Sequence, residues 1–168
     1  MSVDVLQAKV SVEPIKTGLK KSDRSEVATH VSDVLSDTMS LMIKTQIYHW
    51  NVVGPLFKAV HELTEAHYKN LFEAVDVIAE RVRSLGFPAP FHFSKNNDLS
   101  ALLESTDYPR TEEMVDDLIK DHASLVRKMR DSAEGAEQAG DFVTHDLLVG
   151  RMAFHEKAIW MLRALRSE

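Results

Sequence analysis

Apolar residues recur along this chain at helical spacing, and four long stretches of that pattern can be marked off. In the first, Val27, Val31, Val34, Leu35 and Met42 share one face of a helix running to about Trp50, with Asp23 and Glu26 expected as a capping pair at its start. Gly54-Pro55 interrupts the chain, and proline suits the first turn of the helix that follows. That second helix carries Val60, Leu63, His67, Leu71, Ala74, Ile78, Val82 and Leu85 until Gly86 stops it. Residues 86–110 hold Pro88, Pro90 and Pro109 and form a long connection, with a short helix near 99–104. Thr111 is expected to cap a third helix with Met114, Leu118, Leu125, Val126 and Met129 facing inward. Gly140-Asp141 restarts a fourth, with Leu148, Met152, His155, Ile159 and Leu162. No strand alternation or internal repeat competes with this pattern. The expected fold is all-α: a four-helix bundle with short first and third connections and one long crossover, the ferritin-like topology.

The second helix carries more than a core face. With His61 at 0° and about 100° per residue, its core residues fall between about −60° and −160°. Glu65 falls near 40°, Asp76 near 60° and Glu80 near 100°, with Tyr68 near −20° and Phe72 near 20°. A merely solvated face would not be expected to mix two aromatics with its charges, so this stripe calls for a partner of its own.

Axial spacing describes that partner. His61 and Glu65 lie one turn apart, as do Asp76 and Glu80, so each pair suits one metal ion. Between Glu65 and Asp76 run about 16 Å of helix, too far for all four to reach one ion within a chain. Yet residues 61 and 80 have the same midpoint as residues 65 and 76. Packed antiparallel on its own copy about a two-fold axis there, the helix would set 61 and 65 of one chain against 80 and 76 of the other. Two mixed imidazole–carboxylate sites result per dimer, Tyr68 and Phe72 lie near the axis, and His49 can complete each site from the His61 side. Oxygen and imidazole donors without sulfur suit iron, with zinc and manganese as competitors. Spacing alone leaves the plainer reading open, since histidines and acids one turn apart are commonly solvated. His67 and His155 sit on apolar stripes and are expected to be core histidines with hydrogen-bond partners, and the seven methionines read as packing.

Composition narrows the classes. A chain of 168 residues is expected to form one domain, residues 22–168, behind a basic tail at 1–21 in which Lys9, Lys16, Lys20 and Lys21 outweigh Asp4 and Glu13 by a net +2. There is no cysteine, so thiolate-held metal and disulfides are excluded. No apolar run reaches the roughly 20 residues that span a bilayer, nor does the start carry a signal-like apolar core, and a cytoplasmic location is expected. The net charge of −6 argues against a whole-surface nucleic-acid binder.

The stretches "HWNVVGPLFKAVHELTEAH" and "DVIAER", with "THDLLVGRMAFHEKAIWMLRAL" at the end, resemble the Dps family of miniferritins. The resemblance implies a hollow homododecamer with ferroxidase sites between subunits, oxidising Fe(II), preferably with hydrogen peroxide, storing Fe(III) and protecting DNA. It implies His49, His61 and Glu65 as ligands from one subunit and Asp76 and Glu80 from the other, with room for two iron positions. Glu65 departs from the Asp that several members carry, which bears on the second position. Asp141 and Asp146 match the region lining the family's pores, and Glu62 and Glu73 border the ligand stripe where mineral would nucleate. An alternative is a DNA-compacting protein with secondary ferroxidase activity. Any DNA contact is expected through Lys9, Lys16, Lys20 and Lys21, weak, non-specific and salt-sensitive, with nucleoid association following from it. Di-iron enzymes that use Glu-x-x-His within one chain are disfavoured, because none of the eight histidines has Glu three residues before it.

Overall fold

The structure is a computed structural model that describes residues 15–90 and 99–166. Five helices follow in order: α1 Lys21–Asn51, α2 Phe57–Ser84, α3 Leu99–Glu104, α4 Thr111–Gln138 and α5 Phe142–Ala164. The four long ones make the expected bundle, and α3 is the short helix of the crossover. Its packing joins two antiparallel pairs, α1 on α2 and α4 on α5, through the α1–α4 contact. Val31, Val34, Val60, Leu71, Ile78, Leu118, Met129, Leu148 and Leu162 are sealed in the core between them, each contributing on the order of 2 kcal/mol by its burial. Among the described residues no helix is long and apolar enough to cross a membrane. Residues 1–14, with Lys9, and residues 91–98 of the crossover lie outside the described residues.

Three helix starts differ from expectation. α1 begins at Lys21 with Lys20 as its N-cap and no side-chain cap. Asp23 therefore sits inside the first turn, where its charge suits the positive end of the helix dipole, and Glu26 is past the capping positions. Helix α2 begins at Phe57, two residues after Pro55. Gly54 takes φ +92°, a conformation that side chains resist, and its carbonyl accepts from Phe57 N–H at 3.0 Å, so the turn consumes the proline. Thr111 is the first residue of α4 and not its cap. Its hydroxyl is spent elsewhere, donating to the Val53 carbonyl at 2.6 Å, while Glu113 accepts from the Arg110 backbone N–H at 3.0 Å. That Thr111 bond fastens the end of the crossover onto the α1–α2 turn. Gly86 ends α2 as expected, at φ +93°, and a Cβ there would come 2.8 Å from Ile15 Cδ1.

Two clusters of polar groups stand out inside the bundle. Lys44 of α1 reaches Asp117 at 2.8 Å and Asp121 at 2.6 Å on α4, and Tyr48 Oη donates to Asp117 at 2.8 Å. Burial works against the Lys44 ammonium, but these two carboxylates outweigh it and hold its pKa above the ordinary value. The second cluster joins His67 of α2, His122 of α4 and His155 of α5, all buried. His155 has the expected partner, His122, at 2.8 Å between Nδ1 atoms. His67 Nδ1 has none among the described residues, contrary to expectation; its ring is met by those of His122 at 5.6 Å and Phe154 at 5.7 Å between centroids. His122 escaped the sequence reading, although it stands one turn after Leu118 on the same inward stripe.

These histidines make the fold acid-sensitive. Burial lowers His67 from 6.5 to about 4, and His122 and His155 to about 3 and 2. Below pH 6.5 the unfolded chain takes up protons that the folded core refuses, so stability falls as pH drops from 6.5 toward 4. His67→Leu removes one such group without orphaning a partner. Denaturant titrations at pH 7 and 4.5 should show the variant losing about 2 kcal/mol less than the parent between the two values; equal losses would contradict the assignment.

Candidate metal centre

The end of α1 and the start of α2 are stitched together by two histidines. His49 Nδ1 donates to the His61 carbonyl at 2.8 Å, and His61 Nδ1 donates to the His49 carbonyl at 2.9 Å. A carbonyl only accepts, so each Nδ1 must carry the proton. The tautomer is thereby set, and each Nε2 keeps a bare lone pair, the form in which imidazole binds metal. The rings lie nearly parallel, with centroids 3.8 Å apart and planes inclined by 19°. Phe57 stacks on the outer side of His61, and the Tyr68 ring meets His49 edge-on at 5.2 Å.

One turn after His61, Glu65 lies close enough to feel both imidazoles electrostatically, but its carboxylate is turned to the Lys69 ammonium. The hydrogen bond from Lys69 holds the Glu65 carboxyl below its ordinary pKa. Asp76 and Glu80 stand far down the same helix and are exposed, with no ion pair to either among the described residues. The structure thus brings His49, His61 and Glu65 together and leaves Asp76 and Glu80 apart from them. Among the described residues no group of three or more His, Asp or Glu side chains in one chain is arranged to hold a metal ion. Large apolar side chains are exposed among these charges: Trp50 is 64% exposed, Phe72 67% and Val77 49%. A groove of about 370 Å³ lined by Met42, Gln46, Tyr68, Lys69, Phe72 and Glu73 adjoins them.

The remaining candidates separate. Asp141 is buried and fully engaged: it caps α5 by accepting from Thr144 N–H at 3.1 Å and pairs with Arg81 at 2.6 Å. Burial alone would raise its pKa, but Arg81 and Thr144 outweigh it and hold the value low. Asp146, one turn later, is exposed. Glu62 is exposed beside Lys58 at 3.8 Å, and Glu73 is exposed at the groove. Lys16, Lys20 and Lys21 are exposed where the chain enters α1. Sequence reading missed the parts played by Arg81 and Lys69. Arg81 stands next to Glu80 in "DVIAER", and Lys69 one turn after Glu65, so spacing marked both.

The chain matches the Ferritin family, described as a ferritin-like domain, over residues 29–168. It is 40% identical over 152 residues to a low-temperature-induced protein of Nostoc sp., covering 89% of this chain and 85% of that one. It is 31% identical to the DNA protection during starvation protein of Brevibacillus brevis, covering 87% and 98%. The crystal structure of the Dps protein from Vibrio cholerae O1, described as a member of a broad superfamily of ferritin-like diiron-carboxylate proteins, superposes with a TM-score of 0.77 at 29% identity, covering 89% and 94%. The fold is that of a ferritin-like protein. Within that class, the chain belongs to the Dps family of miniferritins.

The Arg81–Asp141 pair locks the end of α2, and with it Glu80, to the start of α5. Arg81→Met would leave the Asp141 carboxylate buried without its cation, at a cost of about 3 kcal/mol. Urea unfolding should show the midpoint falling with the slope unchanged. A midpoint equal to the parent's would mean that the pair contributes nothing.

Proposed function

We propose that this chain is the subunit of an iron-sequestering ferroxidase that oxidises Fe(II) at sites shared between two-fold related subunits, and so withdraws from DNA the metal that drives oxidative damage. The observation that carries this reading is the pair of reciprocal bonds between His49 and His61, which fixes both tautomers and leaves each Nε2 with a bare lone pair on two stacked rings. Imidazoles alone hold divalent iron weakly and do not favour the trivalent product; anionic oxygens do. Asp76 and Glu80 supply them from the second chain when α2 packs on its copy with residues 61 and 65 against 80 and 76. That packing would also cover Phe72 and Val77, whose exposure is costly in a free subunit.

Iron is the substrate. Two Fe(II) ions held together, the second near Glu65, each give one electron, so that peroxide accepts two electrons and two protons and leaves as water. Zinc and manganese compete for the same donors. The assembly is a homododecamer enclosing the Fe(III) product, with Glu62 and Glu73 as nucleation sites. Asp146 is the pore residue, its carboxylate exposed, while Asp141 is committed to Arg81 and the α5 cap. The name borne by the Brevibacillus brevis relative favours DNA protection as the physiological outcome. Any direct contact with DNA falls to the lysines at Lys16, Lys20 and Lys21 and the segment before them.

Complementation tests the shared site. A chain with His61→Ala and a chain with Asp76→Ala and Glu80→Ala should each assemble into multimers that oxidise Fe(II) at least 100-fold more slowly than the parent, on the order of 3 kcal/mol in the barrier. In a mixed dimer one site gathers all the damage and the other is intact. Co-refolded mixtures, verified by recovering an untagged chain with a tagged one, should regain activity up to one site per mixed dimer. Verified mixed dimers without recovered ferric absorbance would rule the shared site out. For the pore, Asp146→Asn should slow iron uptake while leaving sedimentation unchanged, and equal uptake rates would remove that assignment.

A further inference from the structure

We propose that Lys69 is a resident cation that occupies Glu65 in the metal-free subunit and passes to Glu73 when a metal ion takes Glu65. The inference rests on the reading of Glu65 as a ligand and concerns what controls its loading. Of the five proposed ligands, Glu65 is the one that carries an ion pair among the described residues, and its partner is the Lys69 ammonium. The place where a ligand carboxylate would meet a metal is thus already filled by a monovalent charge.

Lys69 is flanked by two acids at equal spacing. Glu65 precedes it by one turn and Glu73 follows it by one turn, and at about 100° per residue each lies within about 40° of it around the helix. Lys69 and Glu73 line the same groove, against Tyr68 and Phe72. A lysine stem has four rotatable bonds and a compact charged head, so the ammonium reaches either carboxylate by changing rotamer, with the helix backbone still. The two-fold packing adds a reason to move in step with loading. Position 69 stands one and a half residues from the midpoint of the paired helices, so the two copies of Lys69 lie about 4.5 Å apart along the axis. Two ammonium groups brought to the same level of the paired helices repel unless each keeps a carboxylate. Before loading that carboxylate is Glu65; afterwards the remaining acid one turn away on the same helix is Glu73.

The chemistry that follows is a competition. A monovalent cation gains little over the ammonium already present, whereas a divalent ion that also collects imidazole nitrogen displaces it. Lys69 therefore weakens the second metal position for every cation and discriminates by charge, and Glu73 recovers part of that loss.

Co(II) binding to the assembled protein, followed by visible absorbance and calorimetry without oxidant, tests this. The Lys69 side chain is 60% exposed in the subunit, so Lys69→Gln leaves the subunit fold intact, and circular dichroism and sedimentation check fold and assembly before binding is compared. Removing one positive charge beside a divalent ion should tighten the weaker Co(II) step roughly fivefold, and Lys69→Arg should restore the parent affinity. Unchanged or weaker binding in Lys69→Gln would overturn the proposal. Glu73→Gln should weaken that step about twofold in the parent and leave it unchanged in the Lys69→Gln background. Equal weakening in both backgrounds would show only general electrostatics and would reject the handover. Glu65→Gln separates the two levels: it should abolish the weaker step in every background. If the step survives, the ligand reading of Glu65 fails; if it vanishes while Lys69→Gln has no effect, the competition alone fails.

Discussion

The site depends on a constraint that involves no metal at all, the crossed bonding of two imidazoles to each other's backbone carbonyls. Helix ends leave carbonyls without intrahelical partners, and His49 contributes one of these near the end of α1. The His61 ring satisfies it, and the His49 ring returns the bond to α2. One exchange therefore closes the α1–α2 hairpin, spends the orphaned carbonyl and fixes both tautomers. The surrounding fold serves to hold that hairpin still. Tyr48, the residue before His49, is anchored on Asp117 beside the buried Lys44, and Thr111 pins the turn that leads to α2. The placement of the two imidazoles comes from α4 as much as from the helices that carry them.

Much of this was legible in the sequence, and the reason is periodicity. The four long helices, the short helix at 99–104 and the inward faces follow from apolar spacing, because a helix must bury one stripe whatever it packs against. The second stripe on α2 was equally visible, since Tyr68 and Phe72 among acids do not suit a solvated face. What was lost lay in competition between equivalent donors. Thr111, a good capping residue by type, found a better acceptor across the bundle at Val53. Asp23 became a first-turn acid once the helix started earlier at Lys21. His67 was placed correctly in the core, but its ring is met by other rings and Nδ1 has no hydrogen-bond partner among the described residues. Such outcomes are settled by tertiary geometry, and one-dimensional spacing does not carry it.

The same limit applies to charges on the ligand face. Spacing put Glu65 on the metal stripe with His61, yet in the subunit its carboxylate belongs to Lys69. The sequence shows both acids that flank the lysine; only the structure shows which one holds it. For Asp141 the competition went to Arg81 and the helix cap, while its neighbour Asp146 was left to solvent.

The Arg81–Asp141 pair also joins two regions that are usually thought of separately. Glu80 precedes Arg81 on α2, and Asp146 follows Asp141 by little more than a turn on α5, so one buried ion pair is the common footing of two exposed carboxylates on different helices. A displacement of that corner tilts both together. If Glu80 captures iron and Asp146 admits it, as proposed, the two rates are not independent measures, and a change made for one at this corner registers in the other.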